Sequence, residues 1–214
     1  MADALISRGL LSDQVYDLMR ASILDGTRAP GSRIVESEVA RSLLISQAPV
    51  REAVKRLVHD GLVTSIPRNG SYVTEVSPAE LEIARQARAS VERIGARSAA
   101  ADATPDDLAA LRRVVDRMRG AVESGSWADF RVIDMQFHGA VMAIGGHLVL
   151  SRLWSTLEPV LLSQRGIADP SYAGDKAKLI PWHEDLIAAL ESGDADRAGD
   201  AFFAHAAGTL SAAD

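Results

Sequence analysis

The 214 residues carry 23 basic and 29 acidic side chains, no cysteine, and a hydrophobic fraction of 47%. Disulfides and thiolate metal sites are therefore excluded. No run of 18 apolar residues and no basic-then-apolar leader is present, so a cytoplasmic protein is expected. The net charge of −6 is uneven: residues 1–76 hold nine bases and nine acids, so the whole excess of acid lies in residues 77–214. A neutral N-terminal segment can still present a basic face to nucleic acid. Few aromatics and many Ala and Leu favour helices.

In chain order, Val15, Leu18, Met19 and Ile23 form the stripe of a helix over 12–25, with Ser12 as its cap. Gly26 to Gly31 is a turn. A second helix runs from Glu36 to Leu43 with Val39, Ala40 and Leu43 inward, and Leu44-Ile45-Ser46 turns the chain into a third. That third helix buries Val50, Val54, Leu57 and Val58 and is closed by Gly61. Ser46 is its expected cap, with Pro49 in the first turn. Gln47, Arg51, Lys55 and His59 lie on the opposite face, which suits a DNA major groove or simply water. Leu62–Ile66 and Ser71–Thr74 are β-prone, and Pro67-Arg68-Asn69-Gly70 is the turn between them. The order predicts a winged helix-turn-helix, with Arg68 and Asn69 at a tip that reaches phosphates or a minor groove.

These residues resemble a known family. Tyr16, Arg20, Ile23, Gly26, Pro30, Gly31, Glu36, Ala40, Ser46, Pro49 to Ala53, Gly61-Leu62-Val63 and Gly70 are similar to the N-terminal module of GntR-type bacterial transcription regulators. The resemblance implies a homodimer on a short palindromic operator in duplex DNA, with contacts from Ser46, Gln47, Arg51 and Gly70, and from Arg68 and Asn69 at the wing. Gln47 stands where the family commonly has Arg, Ala48 where it has a small polar residue, and Ser37 where Arg is frequent. Gln favours adenine where Arg favours guanine, so an unusual operator is expected.

Ser77-Pro78-Ala79-Glu80 reads as a capping box that opens a second domain, residues 77–214 after a DNA-binding domain of 1–76. Helical punctuation continues throughout. Helices start at Thr104 and Ser126, another spans 147–165 with a kink expected at Pro159, a loop covers 166–174, and two more helices meet near Asp194. The fold class is mainly α: a winged helix-turn-helix followed by an antiparallel six-helix bundle.

Asp134 and His138 share a helix face at i, i+4. His183 and His205 lie eleven residues either side of Asp194, so in an antiparallel hairpin they fall at one height. The four can meet in one layer as a divalent-metal site for Zn²⁺, Ni²⁺, Mn²⁺ or Fe²⁺, with zinc the leading choice. Singly, each histidine is more commonly a satisfied core residue. Arg88 falls within the apolar arc of Leu81, Ala84, Val91, Gly95 and Ala99, and a buried guanidinium requires an anion. An i+4 pair with Glu92 on the rim and binding of an effector anion are equally compatible with that position.

Arg88-x-x-x-Glu92, Asp134-x-x-x-His138, His183 with Leu186, Ala189, Gly193 and Asp194, and His205 are similar to the FCD domain, the effector domain of the FadR-like branch of GntR regulators. The length suits the VanR-like six-helix subgroup. This resemblance implies that Arg88 faces the metal across an effector site for a small carboxylate or hydroxy acid. His147 replaces a commonly found Asn and reads as a structural substitute near the pocket. Trp127, Trp154 and Trp182 read as core or pocket wall, Met118, Met135 and Met142 as packing, and Arg112, Arg113, Arg117 and Arg119 as a solvated face.

The reading that follows is a ligand-responsive repressor and not an enzyme. A metal-dependent enzyme acting on a small organic acid is the alternative, and a helical scaffold with structural metal is a third. No unliganded carboxylate or histidine is placed as a general base for the second.

Overall fold

The computed structural model describes residues 2–162 and 175–209, with side chains from Leu11 onward. The expected 166–174 loop and the last residues of the chain lie outside the described residues. The chain divides into two units, one running to Ser77 and one beginning at Pro78.

In the first unit, α1 (Ala2–Leu24) packs on α3 (Gln47–His59), and α2 (Glu36–Ser42) precedes α3 across the Leu43–Ser46 turn. Helix α1 is longer than the 12–25 reading, so Ser12 lies inside it and is not its first cap. Helix α3 covers the line of Val15, Met19 and Ile23, whereas Leu18, one step off that line, is 58% exposed. Leu43 is likewise only half-buried, while Val39 and Ala40 are core. Tyr16 donates to Asp60 Oδ2 at 2.6 Å, and the Arg56 guanidinium lies 4.1 Å from the ring centroid, tying α1 to the end of α3. Burial and the Asp60 carboxylate push the Tyr16 hydroxyl up to about 12.

Helix α3 buries Pro49, Val50, Ala53, Val54 and Leu57, whereas Val58, expected on the same stripe, is only half-buried. Ser46 has the extended backbone of a cap, but its hydroxyl bonds no backbone amide. Pro49 contributes to this: it occupies the third helical position, one of the two whose N–H a cap can bind, and proline has none.

The wing has three strands. β2 (Val63–Ile66) and β3 (Gly70–Val73) form the expected hairpin, and β1 (Arg33–Ile34) adds to the other side of β3, giving the antiparallel order β1-β3-β2. Two residues are too few to show alternation, so β1 left no mark in the sequence pattern.

The second unit contains α4 (Pro78–Asp102), α5 (Pro105–Glu123), α6 (Trp127–Ile144), α7 (Leu148–Leu162), α8 (Leu179–Glu191) and α9 (Ala195–Ala207), with no strand among the described residues. Thr104 and Asp107 close a reciprocal capping box at the start of α5. Pro159 lies inside α7, and Pro181 falls in the first turn of α8, where proline costs no intrahelical bond. Helices α4 and α9 pack against each other on small residues. A Cβ on Gly199 would sit 2.7 Å from the Arg97 side chain and 3.2 Å from the Arg93 carbonyl. Arg93 with Asp200 and Arg97 with Asp196 fix the register of the pair.

Candidate metal centre and nucleic-acid interface

Three helices supply the ligand set. Helix α6 presents Asp134 and His138 one turn apart, α8 presents His183 and α9 presents His205. The turn between α8 and α9 sets the last two at one level. Gly193 adopts φ +67°, which lets the chain leave α8, and Asp194 accepts from the amides of Asp196 and Arg197 to start α9. The imidazole centroids of His183 and His205 are 4.9 Å apart, and those of His138 and His205 are 5.1 Å apart. One ligand atom from each of Asp134, His138, His183 and His205 lies within 4.8 Å of the others.

His183 Nε2 is 3.0 Å from Asp134 Oδ1, and His138 Nε2 is 3.8 Å from the same oxygen. His138 Nε2, His183 Nε2 and His205 Nδ1 are buried with no hydrogen-bond partner among the described residues. An orphaned buried polar atom costs roughly 1–3 kcal/mol, and three facing one carboxylate form a donor set that fits a divalent cation of borderline softness. The far side of each α6 and α8 imidazole is also engaged. His183 Nδ1 lies 2.7 Å from the Leu179 carbonyl, and His138 Nδ1 lies 2.8 Å from Glu92 Oε2, close but without hydrogen-bond alignment.

The electrostatics suit a cation. Burial pushes His138 and His205 below the usual imidazole range, which keeps their lone pairs free. Burial would raise Asp134, but His183 and the neighbouring charges outweigh it and hold the carboxyl well below its ordinary value. Arg88 loses solvation too, yet Glu92 and Asp134 keep it charged. With neutral imidazoles, the formal charges of Arg88, Glu92 and Asp134 sum to −1, and a divalent ion would leave +1.

Arg88 stands at the edge of this layer. Its Nε donates to Glu92 Oε1 at 2.5 Å, and its Nη2 is 3.9 Å from Asp134 Oδ2. The i+4 pair with Glu92 forms, and the guanidinium also borders the Asp134 cluster. Glu92 is not on a rim, however; it is fully buried. It shares the arc of Ala84, Arg88, Gly95 and Ala99, a spacing that would have placed it inside. His147 is exposed at the α6–α7 junction and outside the cluster, so it is not a pocket substitute. Trp154 lies 6.3 Å from His138 and Trp182 6.4 Å from His205, centroid to centroid, as walls of the layer. Met118, Met135 and Met142 are buried packing. Arg112 pairs with Glu191 and Arg119 with Asp116 and Glu184 on the surface.

In the first unit, Ser46, Gln47, Arg51, Lys55 and His59 are all exposed along α3. Arg51 Nε lies 3.2 Å from Glu36 Oε2 of α2, an exposed pair. The wing tip is braced: the Asn69 carbonyl accepts from Arg33 Nη2 at 3.1 Å and from the Tyr72 hydroxyl at 3.3 Å. Arg68 adopts φ +63° at the third position of the Ile66–Asn69 turn, a place that favours glycine.

Residues 11–73 match the family of bacterial regulatory proteins, gntR family, and residues 84–208 match the FCD domain. The HTH-type transcriptional repressor RspR of Escherichia coli is 28% identical over 197 residues, 91% of this chain and 85% of that protein. The probable D-xylose utilization operon transcriptional repressor of Paenarthrobacter nicotinovorans is 28% identical over 207 residues, 97% of this chain and 90% of that one. Among solved structures, E. coli McbR/YncC superposes with a TM-score of 0.71 at 25% identity, covering 93% of this chain and 94% of that one. A putative GntR regulator from Rhodococcus sp. shares the fold at a TM-score of 0.76 and 21% identity, covering 92% and 94%. The curated relatives are named as regulators of transcription, not as enzymes. With both of its units matched, the chain belongs to the GntR family of DNA-binding transcriptional regulators and carries a C-terminal FCD domain.

Proposed function

We propose that the protein is a ligand-responsive repressor whose FCD domain holds a divalent metal on Asp134, His138, His183 and His205 and senses a small carboxylate or hydroxy acid there. The observation that carries this reading is the convergence of four ligand atoms within 4.8 Å, three of them on imidazoles from separate turns of α6, α8 and α9. Zinc suits the set best, since it accepts nitrogen and oxygen donors without a geometric demand of its own. The effector carboxylate meets the metal and Arg88, whose guanidinium would be recruited from Glu92 and Asp134. A homodimer places two α3 helices in successive major grooves of a palindromic operator, with Ser46, Gln47, Arg51, Arg68, Asn69 and Gly70 in contact. The effector acts by favouring one dimer arrangement over the other, a coupling of about 1–3 kcal/mol.

The test is a thermal-shift screen of small organic acids on zinc-loaded and chelator-stripped protein. A matching acid raises the melting temperature of the loaded protein and leaves the stripped protein unmoved. An acid that stabilises both forms equally would detach the sensing from the metal.

Arg68 offers a separate check on the wing. A non-glycine residue at positive φ is strained by about 1–2 kcal/mol, and strain is tolerated where a side chain is needed. Arg68→Gly is expected to leave thermal stability unchanged or slightly raised while operator affinity falls. Unchanged affinity would remove Arg68 from the interface.

A further inference from the structure

We infer that Glu92 is a positioning residue of the metal centre: it holds His138 from behind through Nδ1, so that Nε2 is the atom offered to the cation. The inference rests on the metal reading above and adds a residue to it that binds no metal itself. Glu92 is fully buried on α4, and a carboxylate is not kept in such a place without partners that need it. It has two. Oε1 accepts from Arg88 Nε at 2.5 Å, and Oε2 stands 2.8 Å from His138 Nδ1.

The two contacts have one geometric result. His138 Nε2 faces Asp134, and Nδ1, on the opposite side of the same ring, faces Glu92. A neutral imidazole carries its proton on one nitrogen only, and a carboxylate behind Nδ1 selects the form with the proton there. The lone pair is then on Nε2. His183 is held by the same logic but with a weaker acceptor, since its Nδ1 meets the Leu179 carbonyl. A charged acceptor makes the ring more electron-rich than a carbonyl does, so His138 becomes the strongest imidazole donor of the three. Without an effector, the Arg88 contact holds the carboxylate's other oxygen and steadies Glu92 behind the ring.

Glu92→Gln keeps the size and an acceptor oxygen but removes the charge. In the full-length protein, competition with a chromophoric chelator is expected to show Zn²⁺ affinity lower by roughly 10–100-fold. In a His138→Ala background the same change should cost less than about threefold, because Glu92 acts through that ring. Wild-type affinity in a folded Glu92→Gln protein, or an equal loss in both backgrounds, overturns the inference. A second measurement needs no variant: ¹⁵N-imidazole spectra of the Zn²⁺-loaded wild type should show the His138 proton on Nδ1, and a proton on Nε2 overturns it. If the wild type binds no Zn²⁺, the metal centre falls and takes this inference with it. Tight wild-type binding with an indifferent Glu92 sinks the inference alone.

Discussion

His183→Ala is expected to strip the protein of metal. His183 is fully buried, its Nε2 is 3.0 Å from Asp134 Oδ1, and its Nδ1 is committed to the Leu179 carbonyl, so Nε2 is the nitrogen it offers to an ion. Loss of an outer-sphere partner costs roughly 10–100-fold in metal affinity, and loss of a ligand costs more. Elemental analysis after dialysis should find about one ion per wild-type chain and almost none per variant, and the melting-point gain from added zinc should vanish. His183→Gln, closer to histidine in volume, guards against a packing artefact between Phe130 and Phe137, whose rings flank His183. Full metal occupancy in both variants would mean that the four side chains hold no ion.

The stripped protein should carry a pH signature of the same site. His138 and His205 have folded-state values below the ordinary 6.5. As pH falls below about 6.5, the unfolded chain takes up protons that the folded chain resists, so stability drops with acidification and is whole above that point. Zinc competes with those protons, and the loaded protein should hold its melting temperature to a lower pH than the stripped one. Equal acid profiles for the two forms would argue against imidazole ligands.

Much of this arrangement was written in the chain's periodicities. The α6 pair follows from the 3.6-residue repeat, and the meeting of His183 with His205 follows from counting outward from a turn made by Gly193 and Asp194. The features that stayed hidden depend on what lies across a gap. Strand β1 exists because β3 offers it an edge, and two residues carry no pattern of their own. Leu18 belongs to the apolar stripe of α1 by spacing, yet α3 covers only the line beside it. The Ser46 cap is weakened for a reason visible in the sequence, since Pro49 removes one of the two amides it could bind. Glu92 is the instructive case. Its pairing with Arg88 is local and legible, whereas its approach to His138 requires α4 and α6 to be placed side by side. His147 errs the other way, because a histidine standing where the family commonly has Asn reads as a structural residue near the pocket and turns out to be exposed.

Arg51→Ala is expected to abolish operator recognition while leaving metal content untouched. The side chain is 57% exposed on α3, so its removal disturbs no core contact. Its pair with Glu36 Oε2 at 3.2 Å is a surface interaction worth about 0–1 kcal/mol, small enough to be given up for a guanine edge. A bidentate arginine contact is worth about 1–3 kcal/mol, and a dimer on a palindrome makes it twice. The variant should therefore lose roughly 30-fold to 10⁴-fold in affinity for a duplex selected from a random pool by the wild type. Arg51→Lys separates charge from shape. Lysine keeps the cation but lacks the planar fork, so salt-sensitive binding to any duplex should persist while preference for the selected sequence collapses. Neighbouring residues give the contrast. Arg56 points to Asp13 and the Tyr16 ring, away from the exposed line of Gln47, Arg51 and Lys55, so its replacement should lower stability more than specificity. If Arg51→Ala bound the selected duplex as tightly as the wild type, α3 would not be the reading helix.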